Sequence, residues 1–123
     1  MYTIGQFSKI GNVSTKMLRH YDKIGLIKPT FVNPENQYRY YEKHQVQDIL
    51  KINRLKKYKF SLDEIKQIIK DKNNSTLEKF LSKQISLFET EIQQNKDILL
   101  HLKHSMNQLQ KGEDIMNSKR NFH

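Results

Sequence analysis

The 123-residue sequence contains no cysteine. Disulfide frameworks, zinc–thiolate sites and thiol redox switches are thereby excluded. It also lacks any apolar run near the about 20 residues that a membrane span requires. Met1-Tyr2-Thr3-Ile4 does not open a signal peptide, so a soluble, cytoplasmic protein is expected. There is no Gly-rich phosphate loop and no Ser/His/Asp set in recognisable context, which leaves no enzymatic reading and no cofactor to expect. His101 and His104 stand three apart and could share a metal on a helix. Two ligands fall short of a closed site, and both are expected to face solvent, so no metal is assigned. The hydrophobic fraction of 36% suffices for a modest core, not for a large one with a separate ligand-binding domain behind it.

Positive charge is abundant, and it is unevenly placed. The formal charge is +9 overall. Residues 1 to 75 hold fifteen basic and seven acidic side chains, whereas residues 76 to 123 hold seven and six. A basic head on a near-neutral tail suits a polyanion-binding domain with a separate assembly element. A solubilising lysine excess would give the same sum, so charge alone leaves both readings open.

Two short helices are predicted first. Thr3-x-x-Gln6 has capping-box spacing, followed by Ile4, Phe7 and Ile10 at helical intervals, and Gly11-Asn12 breaks the run. Ser14 is an N-cap for a second helix with Met17, Leu18, Tyr21 and Ile24 on its apolar face; Gly25 ends it and Pro29 forbids resumption. Two short helices joined by a Gly-containing turn fit a helix-turn-helix. Phe31, Val32, Tyr38, Tyr40 and Tyr41 are strand formers around the turn chemistry of Asn33-Pro34-Glu35-Asn36, and predict a small β-hairpin. A third helix follows with Val46, Ile49, Leu50, Ile52 and Leu55 inward. Ser61-x-x-Glu64 opens a fourth with Leu62, Ile65, Ile68 and Ile69 inward. Asp71-Lys72-Asn73-Asn74 is a polar break.

Ser75-x-x-Glu78 reads as the cap of a last helix that meets no Pro or Gly until Gly112. Its heptad places Ile85, Ile92, Leu99 and Met106 at a, and Leu81, Phe88, Asn95, Leu102 and Leu109 at d, with Asn95 the one polar interruption. A coiled coil is expected from this seam. The predicted architecture is mainly α: a winged helix-turn-helix of four helices with a hairpin wing over 1–74, a coiled-coil dimerisation helix over 75–111, and a polar tail over 112–123.

Ile4-Gly5-Gln6-Phe7, Val13-Ser14, Leu18-Arg19-His20-Tyr21-Asp22, Gly25-Leu26-Ile27 and Pro29 come in the order and spacing of the MerR-family transcription regulators. Tyr38-Arg39-Tyr40-Tyr41 is similar to that family's wing signature, and Phe60-Ser61-Leu62-Asp63-Glu64-Ile65 to the start of its fourth helix. The resemblance covers about residues 2 to 111. The sequence departs from the family pattern at His20 (usually Tyr), Asp22 (usually Glu), Gln37 and Lys59 (both usually Gly).

The resemblance implies a cytoplasmic bacterial regulator that binds double-stranded DNA at a near-palindromic promoter operator. It would do so as an antiparallel coiled-coil homodimer, and would realign polymerase elements for RNA polymerase by distorting the duplex. The second helix would read the major groove, with Ser14, Thr15 and Lys16 leading and Arg19, His20 and Tyr21 a turn later. Tyr21 also has core spacing, and that reading stays open. Tyr38 and Arg39 in the wing, and Lys56 and Lys57 at the third-helix end, would meet the backbone. Lys43, Lys66 and Lys70 are read as solvated surface. An excisionase-like architectural DNA binder and a coiled-coil interaction module are the alternatives. Gln110-Lys111-Gly112-Glu113-Asp114 resembles the stretch that leads the family's multidrug-sensing branch into an effector domain. The chain is therefore either a short regulator or, as preferred, the DNA-binding and dimerisation part of a longer one. By itself it is expected not to respond to a drug or metal.

Overall fold

Thr3 serves two elements at once. In the computed structural model, which describes residues 1–112, it is the last residue of strand β1 (Tyr2–Thr3) and the N-cap of helix α1 (Ile4–Ile10). Its hydroxyl accepts from the Gln6 amide at 3.2 Å while the Gln6 side chain accepts from the Thr3 amide at 2.9 Å. Both members of the expected capping box are present. α1 stops at Gly11, and Asn12 then takes φ 49°. Gly11 is needed for space: a Cβ there would lie 2.9 Å from both Ile49 side-chain carbons Cγ1 and Cγ2.

α2 (Thr15–Ile24) starts at Ser14, whose Oγ accepts from the Met17 amide at 3.0 Å. It ends on Gly25 at φ 76°, with the Leu26 amide donating back to the Tyr21 carbonyl at 2.8 Å. That is the left-handed stop that glycine adopts without steric cost. β2 (Phe31–Val32) and β3 (Arg39–Tyr41) form the expected hairpin, with Phe31 opposite Tyr40 and Val32 opposite Arg39. β1 was not legible in the sequence. It pairs antiparallel with β3, Tyr2 opposite Tyr41, so the wing is a three-stranded sheet ordered β1-β3-β2.

α3 (Gln45–Lys57) and α4 (Leu62–Lys70) complete the head, α4 with its predicted Ser61/Glu64 box intact. The first structural unit runs Met1–Leu77, and a second begins at Glu78. The core of the first is built from Phe7, Leu18, Tyr21, Tyr41, Ile49, Ile52, Ile65 and Ile68, all essentially inaccessible. Phe7 and Tyr41 stack with ring centroids 4.4 Å apart, which joins α1 to the sheet. Each buried large side chain of this kind contributes about 1.5–3 kcal/mol. Two positions expected inward are not: Ile10 is 42% and Leu50 48% exposed. Ile10 is the last residue of α1 and Leu50 follows the buried Ile49, so helical spacing alone overcounted the apolar face. Buried Gln45 stands in instead, its amide donating to the Lys28 carbonyl and its oxygen accepting from the Glu42 amide.

α5 (Ser75–Gln110) is 36 residues long, about 54 Å at 1.5 Å per residue. Its cap is not Ser75 as expected, since Ser75 is already helical. Asp71 takes that role from four residues upstream: its Oδ2 accepts from the Thr76 amide and the Ser75 hydroxyl, both at 2.7 Å, and its Oδ1 from the Asn73 amide. These bonds to the ionised form hold the Asp71 carboxyl far below the usual carboxylate range. The a and d side chains from Ile85 to Leu109 are exposed, from 40% at Phe88 to 61% at Leu102, with Asn95 exposed among them and Leu81 half-buried. His101 and His104, expected at solvent-facing positions, are half-buried. The expected polar tail falls, beyond Gly112, outside the described residues.

Candidate nucleic-acid interface

The leading turn of α2 is presented to solvent by its cap. Ser14 Oγ is occupied by the Met17 amide, the Ser8 hydroxyl donates to the Val13 carbonyl, and the Asn53 amide donates to the Gly11 carbonyl. The turn before the helix is thus fixed from α1 and from α3. On this base Ser14, Lys16, Arg19 and His20 are exposed, and Thr15 is half-buried. Lys16, Arg19 and His20 carry the chemistry that reads or grips a duplex: a flexible cation, a planar bidentate donor and an imidazole.

Tyr21 is different. Its ring is fully buried and its hydroxyl has no hydrogen-bond partner among the described residues. Core spacing decides its place, and in this conformation it offers no surface to a duplex. Lys56 Nζ lies 5.7 Å from its ring centroid. That is cation–π range, so the buried ring orients an exposed lysine at the end of α3.

The wing is tied to α2 by charge. Arg39 Nε donates to Asp22 Oδ2 at 3.3 Å, and Lys28 Nζ reaches Asp22 Oδ1 at 3.4 Å. Tyr41 lies buried beneath this cluster. Burial, and next the nearby Asp22 carboxylate, push its hydroxyl up to about 12. Above it, Arg19 from α2 and Tyr38 and Arg39 from the wing come together with Thr3, Ile4 and Gln37 around a notch of about 220 Å³. Arg19 and Arg39 make this a cationic recess of a size to admit a phosphate. Sequence reasoning brought Arg19, Tyr38 and Arg39 forward singly; Thr3 and Ile4 were not placed there because β1 was missed, and Gln37 was noted only as a departure from the family pattern.

Lys66, read as solvated surface, instead donates from Nζ to the Ile24 carbonyl at 2.7 Å. A cation at a helix C-terminus satisfies an orphan carbonyl and the macrodipole together. Gln37 (φ 63°) and Lys59 (φ 69°) occupy left-handed conformations that glycine takes without cost. Lys57 and Lys59 are exposed near the α3–α4 turn. Among the described residues no group of three or more His, Asp or Glu could hold a metal, and no helix is long and apolar enough to cross a membrane.

Comparison with known proteins agrees with this geometry. Residues 2–72 match the MerR HTH family regulatory protein domain. The chain is 37% identical over 110 residues to the multidrug-efflux transporter 1 regulator of Bacillus subtilis, covering 89% of this chain and 38% of that protein. It is 32% identical over 106 residues to the HTH-type transcriptional regulator HmrR of Sinorhizobium medicae, covering 82% and 71% respectively. Among solved structures it is similar to EcmrR in its DNA complex, with TM-score 0.76, 31% identity, and 89% of this chain and 40% of that one covered. It is also similar to MtaN, the N-terminus of the Bacillus subtilis multidrug transporter activator. There the TM-score is 0.75 and the identity 25%, with 86% and 98% covered. The chain thus spans little more than a third of the multidrug regulator and nearly all of MtaN.

Proposed function

Because the chain belongs to the MerR HTH family of regulatory proteins, we propose that it binds promoter DNA sequence-specifically as a homodimer and regulates transcription there. The observation that carries this reading is the joint placement of Arg19 on α2 with Tyr38 and Arg39 on the wing around one recess, Arg39 being locked to α2 through Asp22. A helix with exposed Lys16, Arg19 and His20 enters the major groove, while Arg39, Lys56 and Lys57 neutralise backbone phosphates.

The second copy supplies the symmetry. The exposed seam of α5 is what a partner helix covers, and an antiparallel pair sets Ile85 against Leu109 of the second copy, Phe88 against Met106 and Ile92 against Leu102. Asn95 then lies close to the dyad. Antiparallel coils send the two heads apart, so that each can reach one half of a near-palindromic operator. EcmrR is seen on DNA within a polymerase open complex. By analogy, this protein works by distorting the operator duplex for RNA polymerase, so flexible central base steps matter even where nothing touches them. The reaction is binding and deformation, with no covalent step.

The test is selection of a duplex from a random-sequence pool, then titration of that duplex and a scrambled one at two salt concentrations. The proposal expects the selected duplex to be near-palindromic and bound at least about 1,000-fold more tightly than the scrambled one. Equal binding of the two would make the protein an architectural DNA binder. No binding to either would leave a coiled-coil interaction module.

A further inference from the structure

The last turn of α2 is gripped from a distant part of the chain. Lys66 Nζ donates to the Ile24 carbonyl at 2.7 Å, across 42 residues of sequence. The ammonium lies against Gly25, where a Cβ would stand 3.5 Å from Nζ. Lys66 itself is half-buried and starts from a rigid base. Its α4 neighbours Ile65 and Ile68 are core residues, and the Ser61/Glu64 box fixes the start of that helix.

Dipole complementation does not account for this bond. The C-terminal end of α2 already has Lys23 in its last turn, and Lys28 Nζ on the Asp22 carbonyl at 3.1 Å. Both belong to α2 or to the chain leaving it, so they move with the helix and leave its direction free. Lys66 comes from another element, and holding its long stem in one rotamer costs side-chain entropy. What it adds is a fixed point. Asp22 with Arg39 ties the same turn to the small wing sheet, whereas Lys66 ties it to the helical core. The opposite end of α2 is fixed as well: the Asn53 amide donates to the Gly11 carbonyl, and the Ser8 hydroxyl to the Val13 carbonyl. Two points set the direction of a ten-residue rod about 15 Å long.

We propose that Lys66 is a positioning residue for sequence recognition: by holding the Ile24 carbonyl, it sets the angle at which α2 presents Arg19 and His20 to the base edges. The inference rests on the DNA-binding reading, and adds to it a residue that touches no nucleotide. With the leading turn pinned, release of the far end swings the helix about Ser14. Displacement grows along the rod, so Arg19 and His20 move about two to three times as far as Lys16. Hydrogen bonds to bases weaken steeply as their angles depart from linear, so the loss falls on the residues that move most.

The experiment measures affinity for the duplex selected by wild type and for its single-base variants. Lys66→Met keeps an apolar stem without a donor, and Lys66→Arg keeps a donor of similar reach. Lys70→Met is the control, removing the same charge from the exposed last turn of α4. Lys66→Met is expected to lower discrimination about 10-fold, as loss of one good base contact would. The relaxed positions should be those that Arg19→Ala or His20→Ala also relaxes, while positions relaxed by Lys16→Ala stay as selective as in wild type. The slope of log affinity against log salt should not change, because Lys66 neutralises no phosphate. Lys66→Arg should recover most of the discrimination, and Lys70→Met should retain all of it. If Lys66→Met does not fold, Lys66→Ala carries the same expectations, alanine being the best helix former. A slope lowered by about 0.9 would make Lys66 a phosphate contact. A lowered Tm with discrimination untouched would make it a brace of the fold alone. Either result, or a Lys66→Arg as unselective as Lys66→Met, overturns the positioning role while wild type still binds specifically. Failure of wild type to select any duplex would overturn the DNA reading and this inference with it.

Discussion

Arg39 Nε donates to Asp22 Oδ2 at 3.3 Å, joining the wing to α2 across seventeen residues of sequence. The arginine is two-thirds covered and its Nε is occupied, so its terminal nitrogens remain to meet a phosphate. Arg39→Ala is expected to weaken binding to every duplex and flatten the salt dependence by about one phosphate. Asp22→Asn keeps the arginine's charge and is expected to leave the slope intact while blunting discrimination between sequences, because the wing is no longer fixed to α2. Each change should cost no more than about 1 kcal/mol in unfolding free energy, as partly exposed ion pairs do. Identical effects of the two variants on salt slope would mean that Arg39 serves only its partner.

Gln37 and Lys59 sit at φ 63° and 69°, where a Cβ crowds the backbone. Gln37→Gly and Lys59→Gly are each expected to stabilise the head by up to about 1 kcal/mol, strain relief outweighing the added freedom of the unfolded chain. Urea unfolding measures this. Destabilisation by either substitution would show that the side chain's own contacts outweigh the strain.

The buried Tyr41 hydroxyl has no hydrogen-bond partner among the described residues, and its pKa is pushed up to about 12. A raised folded-state pKa makes its contribution to stability complete below the unfolded value near 10. It is lost as pH rises toward 12. Tyr41→Phe is expected to unfold no more easily than wild type at pH 7, with a gain of up to about 1 kcal/mol. It should also soften the loss of stability between pH 10 and 12. A variant clearly less stable at neutral pH would reveal a partner that the hydroxyl needs.

Asp71 caps α5 from the preceding turn through Thr76 and Ser75. Its depressed pKa means that this contribution is present above about pH 4 and declines as pH falls below that. Asp71→Ala is expected to raise hydrogen exchange at the Thr76 amide while the core amides of Ile49 and Ile52 stay protected. Unchanged exchange at Thr76 would remove Asp71 as the cap.

The seam of α5 gives the assembly test. Leu99→Glu places a charge on the exposed apolar stripe, and is expected to weaken dimerisation at least about 100-fold by sedimentation, since an unpaired buried charge costs several kcal/mol. Cysteines placed singly at Ile85 and at Leu109, mixed and oxidised, should give the heterologous crosslink in preference to the one between two copies of position 85. A dominant homologous crosslink would make the coil parallel.

The sequence by itself determined most features whose cause lies within one helical turn or one hairpin, the α5 cap excepted, where Asp71 takes the place expected of Ser75. Thr3 with Gln6, Ser14, and Ser61 with Glu64 cap their helices as their spacing requires, and Gly25 stops α2 in the left-handed conformation. The strand formers around Asn33-Pro34 close the hairpin, and α5 runs unbroken from Ser75 to Gln110, where the sequence has neither Pro nor Gly. These signals are short-range because the groups that satisfy one another are covalently near. Tertiary structure decided whatever depends on a neighbour brought from elsewhere in the chain. The two residues of β1 carry too little pattern to announce a strand, and only the edge of β3 makes them one. Ile10 and Leu50 have the hydrophobicity of core residues, yet the packing leaves them partly in water. Tyr21 had two readings at one spacing, and the fold buried it under Lys56. Lys66 reaches the end of α2 across 42 residues, as Asn53 reaches the turn before it. No local propensity encodes such a contact, because its energy exists only once folding has set donor and acceptor within hydrogen-bonding distance.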